Sequence, residues 1–146
     1  MYDHILLPTD GSDATDETIE HAATLAETYG ATVHVLSVAD SRNRFETPSA
    51  GIAPDVWEKS ERERAENAAD AAIDALPDTI ATEKLVEEGV PHDVILDYAE
   101  DADIDVVVMA THGRTGLDHY LVGSVTERVV RKSAVPVLTV RTSGDE

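Results

Sequence analysis

The chain contains no cysteine, so disulfide bonds and thiolate-bound metals are excluded. Its 146 residues are enough for one domain, which buries about two-thirds of the unfolded chain's surface without crosslinks. No apolar run approaches the roughly 20 residues of a membrane span, and Met1 is followed at once by polar and strand-like residues. We therefore expect a single-domain protein of the reducing cytoplasm, with neither a signal peptide nor a membrane segment.

Basic residues are also scarce. Eleven lysines and arginines stand against 30 acidic residues, which gives a net charge of -19. Nucleic acids and anionic membranes need local positive charge, so both are excluded as partners. Disorder is excluded as well, because 42% of the residues are hydrophobic and recur periodically. Acidic residues on the polar faces, with few lysines, favour adaptation to high salt, where the Debye length shrinks to about 3 Å.

What is present is an alternation of short apolar runs with longer amphipathic stretches. The alternation predicts a doubly wound α/β fold, an open, twisted and parallel five-stranded sheet with helices on both faces. Residues 39–53 are expected to form a loop, and residues 142–146 a frayed tail. The strands are expected over 4–8, 32–38, 79–86, 104–110 and 135–140, and the helices over 13–29, 55–76, from Pro91 onward and over 124–132.

The last expected strand is apolar and β-branched, yet as the final strand it should lie at a sheet edge. Proteins normally cover or pair such an edge, and Pro136, which cannot donate to a ladder, fits an edge position. Pairing of this strand with its own copy predicts a homodimer through Val135 to Val140. The alternative is a monomer whose edge is covered by the tail.

Two segments should leave the carboxyl ends of strands, where open α/β sheets bind ligands. One is residues 8–12, and the other is residues 111–124, which hold Gly113, Gly116 and Gly123. The second segment ends at Ser124, where a helix is expected to begin, and Ser124 and Glu127 have the spacing of a capping box. A glycine-rich loop entering a helix N-terminus suits phosphate, although an ordinary surface loop before a capped helix has the same composition.

Other sites are not supported by the motifs. The loop lacks the Gly-Lys-Ser/Thr of a Walker A sequence, and no GxGxxG follows the first strand. The six histidines are scattered, without the spacing of a zinc site. Asp101, Asp103 and Asp105 lack the glycine and terminal Glu of a calcium loop, and no GxSxG elbow is present.

Four stretches together resemble the universal stress protein family over residues 1–141. The ATP-binding branch of that family carries Gly, two residues, Gly, nine residues, Gly and then Ser or Thr. Gly113, Gly123 and Ser124 match this pattern, and Ala110 stands in place of the first Gly. The resembling stretches are residues 5–12, 107–114, 123–127 and 136–140.

The resemblance implies a Rossmann-like, adenine nucleotide alpha hydrolase-like fold with strand order 3-2-1-4-5. It also implies a regulatory module that binds ATP, with or without magnesium, and dimerises through its last strand. Asp10 is expected at the adenosine, a backbone group near Val38 at the adenine, and Ala110 beside the ribose. The full expected nucleotide-binding set is Pro8, Thr9, Asp10, Val38, Met109, Ala110, His112, Gly113, Arg114, Gly123, Ser124 and Val125.

Two alternative functions stay open at this point. The same pocket could serve a weak ATPase or a nucleotide-transfer enzyme, for which Asp10 and Ser124 could approach a metal but no general base is identified. The chain could instead be a nucleotide-free interaction protein of the same family, which Ala110 favours because its methyl group occupies the position of a glycine.

The charge composition predicts that folding depends on salt. A net charge of -19 repels itself in dilute buffer, and molar potassium chloride screens that repulsion. The melting temperature, followed by circular dichroism, should therefore rise from dilute buffer to molar potassium chloride. Equal melting temperatures in the two solutions would contradict the high-salt adaptation.

Overall fold

The computed structural model describes residues 2–10, 14–41, 54–111 and 123–141, with side chains described from Asp16 in the first helix and from Lys59 in the second. Its elements follow the alternating order expected from the sequence. In chain order they are β1 (His4–Thr9), α1 (Ala14–Tyr29), β2 (Thr32–Asp40), α2 (Pro54–Ala75), β3 (Thr82–Gly89), α3 (Pro91–Asp101), β4 (Val106–Ala110), α4 (Ser124–Lys132) and β5 (Val137–Val140).

The five strands form one parallel sheet in the order β3-β2-β1-β4-β5, which confirms the expected topology. Successive residues of β1 face opposite sides of this sheet, as the strand period requires. Ile5 and Leu7 pack with α1 and α2, whereas Leu6 packs with α3 and α4. The sheet is thus covered by helices on both faces, and none of the described helices is long and apolar enough to cross a membrane.

Glycine is required at the junction between β3 and α3. Gly89 has a φ of +156°, and a Cβ built on it would lie 2.8 Å from Cγ2 of Val94. Val90 is then the N-cap residue and Pro91 takes the first position of α3, where its missing N–H costs no hydrogen bond. The expectation that Pro91 begins this helix is confirmed.

Three strands begin later than the apolar pattern predicted. β3 begins at Thr82 because the Ile80 amide donates to Pro77 in a turn, and it extends to Gly89 because pairing with β2 continues there. β4 begins at Val106, since Ile104 still donates to Ala99 at the end of α3. β5 begins at Val137, after a turn in which the Ser133 hydroxyl donates to the Val135 carbonyl at 2.8 Å.

The segment expected as a loop over 39–53 is partly strand. β2 continues to Asp40, which pairs with Gly89 of β3. Residues 42–53 and the tail at 142–146 lie outside the described residues.

A buried histidine network joins three strands and a helix at the amino end of the sheet. His34 of β2 is 5% exposed, and its Nε2 lies 3.1 Å from Nδ1 of His4 in β1. Its Nδ1 lies 2.6 Å from the Tyr98 hydroxyl of α3 and 3.2 Å from Oε2 of Glu83 in β3. Burial lowers the pKa of His34 below its ordinary 6.5, as does His4, while Glu83 opposes the shift.

This network predicts a loss of stability on acidification. A histidine whose pKa is lowered by folding binds fewer protons in the native than in the unfolded state, so its contribution is present above 6.5 and is lost as the pH falls through the lowered pKa. Replacing His34 with Gln should flatten the fall in melting temperature between about pH 7.5 and pH 5, the range in which histidine titrates. His21→Gln, at an exposed position of α1, is the matched control. A His34→Gln profile parallel to that of the unaltered protein would show that His34 does not carry the effect.

Candidate functional site

The sheet has one point at which its connections change direction. β1 pairs with β2 on one side and with β4 on the other, so the chain leaves β1 towards one edge and later fills the opposite edge. The register of β1 with β4 pairs Ile5 with Val106, and its continuation brings Thr9 opposite Ala110. Open α/β sheets bind ligands in the crevice outside such a point, which in this sheet lies between the carboxyl ends of β1 and β4, where the sequence analysis expected a ligand.

The end of β1 brings three of the expected residues to this crevice. Thr9 is buried, while Pro8 and Asp10 are half-buried. Asp10 is the first residue beyond the strand, so its carboxylate stands at the carboxyl edge. This placement suits a residue that accepts hydrogen bonds from a ligand in the crevice.

Beside it, β2 extends beyond the end of β1. Pairing with β1 stops at Ser37, whereas pairing with β3 continues to Asp40. The Thr32 amide donates towards β1, and the amides of Val33 and Ser41 donate towards β3, so even-numbered residues of β2 direct their backbone groups to the β1 side. In the same register the Val38 amide is directed to Thr9 of β1, whereas the Val38 carbonyl faces the region beyond the end of β1, as expected for a group that meets a base.

The end of β4 is held against the start of α4. The Thr126 hydroxyl donates to the Ala110 carbonyl at 2.7 Å, and the Gly123 amide donates to the Thr111 carbonyl at 2.6 Å. Thr111 in turn donates to Val140 of β5 at 3.0 Å. These bonds direct the N-terminus of α4 towards the crevice.

At that N-terminus the expected capping box is wrong. Gly123 is the N-cap residue and has no side-chain cap, while Ser124 is the exposed first residue of the helix. Glu127 does not reach back, because its Oε1 accepts a hydrogen bond from Nε of Arg131 at 2.8 Å. The Ser124 hydroxyl is thereby directed to the surface rather than to the helix backbone.

Three backbone amides at the start of α4 lack an acceptor among the residues of the helix itself. The Gly123 amide is already bonded to Thr111, but those of Ser124, Val125 and Thr126 have no acceptor within the helix. Gly123 has a φ of -63°, which any residue adopts, so glycine here removes a side chain rather than permitting an unusual backbone. The helix dipole adds to the attraction of a negative charge.

Not every expected residue contributes in the same way. The side chains of Met109 and Val125 pack in the core beside α3, so only their backbone groups can reach the crevice. His112, Gly113 and Arg114 lie outside the described residues. In the described part of the chain, no three His, Asp or Glu side chains are grouped as metal ligands.

Sequence reasoning missed two buried carboxylates at this same edge. Asp40 of β2 is 7% exposed and Glu61 of α2 is 8% exposed. The Asp40 amide donates to Oε1 of Glu61 at 3.3 Å, and Arg64 pairs with the same oxygen. The sequence carried one sign that Glu61 is buried: it lies four positions before Ala65, and so on the alanine-rich face of α2.

The profile of the universal stress protein family matches residues 1–141. Among curated proteins, the universal stress protein MJ0531 of Methanocaldococcus jannaschii is 36% identical over 97% of this chain and 83% of its own length. Among solved structures, MJ0577 of the same organism, also named a universal stress protein, superposes with a TM-score of 0.86 at 31% identity, covering 98% of both chains.

Two less similar structures share the fold. A universal stress protein solved in complex with cAMP has a TM-score of 0.62 at 23% identity, covering 97% of this chain and 98% of its own. One from Archaeoglobus fulgidus, solved in complex with dAMP, has a TM-score of 0.57 at 23% identity, covering 94% of this chain and 97% of its own. Because the family profile covers nearly the whole chain and a curated relative exceeds one-third identity, this chain belongs to the universal stress protein family.

Proposed function

We propose that this protein is a cytoplasmic ATP-binding module whose regulatory state depends on the bound nucleotide. The observation that carries the proposal is the N-terminus of α4, where three backbone amides have no acceptor within the helix, beside the carboxyl ends of β1 and β4. Helix N-termini of this kind bind phosphate groups. Ser124, exposed at the first helical position, adds a hydroxyl that can donate to the same anion.

The adenosine half is proposed to lie along the ends of β1 and β2. The Asp10 carboxylate would accept hydrogen bonds from the ribose or the base, and the Val38 backbone would meet the edge of the adenine. Two relatives with this fold were solved with cAMP and dAMP, which are both adenine nucleotides. His112, Gly113 and Arg114 complete the proposed phosphate site, and magnesium would arrive with the nucleotide.

The proposal is binding with at most slow hydrolysis. Phosphoryl transfer requires metal-assisted charge neutralisation and a residue that positions or deprotonates the nucleophile. Asp10 and Ser124 could approach a metal, but no sequence motif identifies a residue that would deprotonate the nucleophile. Steady release of phosphate from ATP by the purified protein would favour the enzymatic alternative.

ATP should bind with a stoichiometry of one per chain and more tightly than GTP. Isothermal titration calorimetry in molar potassium chloride measures both affinities, and a thermal-shift assay provides an independent readout. The absence of both heat and thermal shift with millimolar ATP and magnesium would refute the binding proposal and favour the nucleotide-free alternative.

Single substitutions should separate the two halves of the site. Gly123→Val should abolish ATP binding, because a branched side chain blocks the approach of phosphate. Gly123→Ala, which adds a smaller side chain, is the control.

Asp10→Ala should weaken the binding of adenosine as well as that of ATP, with Asp78→Ala at an exposed position as its control. Ala110→Gly should raise the ATP affinity or leave it unchanged. Wild-type affinity in both Gly123→Val and Asp10→Ala would show that the site lies elsewhere.

We also propose that two copies pair antiparallel through β5. This strand is at one edge of the sheet, and its Leu138 is 38% exposed. Val130 on α4, the helix that precedes it, is 49% exposed. Exposed apolar side chains beside an unpaired strand edge favour association with a self-complementary surface.

A charge in the middle of β5 should dissociate this dimer. Light scattering in molar potassium chloride should give about twice the 15.7 kDa chain mass for the unaltered protein and the single chain mass for Leu138→Asp. ATP binding should survive, because β5 and the crevice occupy different parts of the sheet. Thr79→Asp, in the exposed turn before β3, is the control. A monomeric unaltered protein at micromolar concentration would rule out the dimer.

A further inference from the structure

The buried carboxylate of Glu61 is a feature that the proposed site leaves unexplained. It occupies the apolar face of α2, where the other buried positions from Lys59 onward are Ala65, Ala68, Ala69 and Ala72. Burying a carboxylate costs free energy unless hydrogen bonds and a counter-charge compensate. Alanine at this position would continue the face without that cost, so the carboxylate indicates a specific role.

The hydrogen bond of Glu61 locates that role. Its Oε1 accepts the amide of Asp40, the last residue of β2, and this amide belongs to the series that points to the β1 side. Asp40 lies beyond the last β1–β2 pair at Ser37, so β1 supplies no strand neighbour there. A carboxylate from α2 therefore stands where a strand carbonyl would otherwise accept.

We propose that Glu61 is a positioning residue of the nucleotide site. It holds the carboxyl end of β2 in place and occupies the Asp40 amide, so that this amide does not donate a hydrogen bond to the base. This inference rests on the proposed function, because it assumes that the base lies against Val38. Arg64, paired with the same Oε1, holds the carboxylate in place. With the Asp40 donor occupied, the Val38 carbonyl is the backbone group of β2 that is offered to the ligand.

The occupied Asp40 amide affects which base the proposed site prefers. Adenine presents an amino donor at the position where guanine presents a carbonyl acceptor. A free Asp40 amide would supply a hydrogen bond to the guanine oxygen, whereas Glu61 occupies that amide and adds a negative charge that repels the oxygen. Glu61 thus favours adenine over guanine without contacting phosphate.

The test compares Glu61→Ala, Glu61→Gln and the control Glu63→Ala, which lies at an exposed position of the same helix. Calorimetry in molar potassium chloride measures ATP, GTP, adenosine and inorganic tripolyphosphate. Glu61→Ala should weaken adenosine and lower the ATP-to-GTP affinity ratio by about five- to tenfold, the effect of one hydrogen bond, with tripolyphosphate unchanged. Glu61→Gln retains an acceptor for the Asp40 amide and should preserve the ratio.

A purely structural role gives a different result. Glu61→Ala would then lower the melting temperature without changing the ATP-to-GTP affinity ratio, and that result would overturn the proposal. The proposal would also be overturned if Glu61→Gln lowered the affinity ratio as much as Glu61→Ala does. Amide hydrogen exchange on the ligand-free protein tests the positioning separately, and exchange at Asp40 should accelerate in Glu61→Ala but not in Glu63→Ala. If the unaltered protein binds no nucleotide, the proposed function fails, and unchanged exchange at Asp40 would also remove the positioning role.

Discussion

Backbone pairing of β1 with strands on both of its sides is the constraint on which the rest of the molecule depends. This central strand is buried throughout its middle, and its two faces hold the two apolar clusters in place. Because β2 and β4 both run parallel to it, the carboxyl ends of these three strands lie at the same edge of the sheet. The crevice, the end of β2 and the start of α4 meet there as a direct result of hydrogen bonding in the sheet.

Strand length then decides which backbone groups stay available at that edge. β2 extends beyond β1 but remains paired with β3, so on the β1 side its last residue bonds to a side chain, with the Asp40 amide donating to Glu61. An unpaired backbone group in a protein interior is costly, which is why a side chain of α2 takes the Asp40 amide where β1 has ended. At α4 the same logic applies, because the Gly123 amide is bonded to Thr111 while the next three amides point outward.

Apolar periodicity and right-handed connections predicted the order of elements and a doubly wound parallel sheet, and the edge expected to bear a ligand follows from that architecture. The strand order itself came from the family resemblance. Strand ends were less accurate. β3 is an exposed edge strand, so its apolar signal is weak and its pairing with β2 decides its bounds. The capping box failed because Arg131 competes for Glu127, which the spacing of Ser124 and Glu127 does not reveal.

The contacts of Glu61 and His34 were not predictable for a related reason. The first joins residues 21 apart in sequence and the second residues 64 apart, so both depend on tertiary packing rather than on local pattern. A charged residue on an apolar face marks Glu61 as unusual but does not name its partner. The positions expected from the motif to bind phosphate, residues 112–114, lie outside the described residues.

The two edges of the sheet differ in a way that limits growth. β3 carries four exposed charged residues, Glu83, Lys84, Glu87 and Glu88, whereas β5 carries none. A strand added beside β3 would have to bury or oppose those charges, so that edge resists extension of the sheet. Fibre formation by edge-to-edge stacking needs two adhesive edges in every molecule. An assembly that used only the uncharged edge would end after one addition, because the remaining edge of each copy would be the charged one.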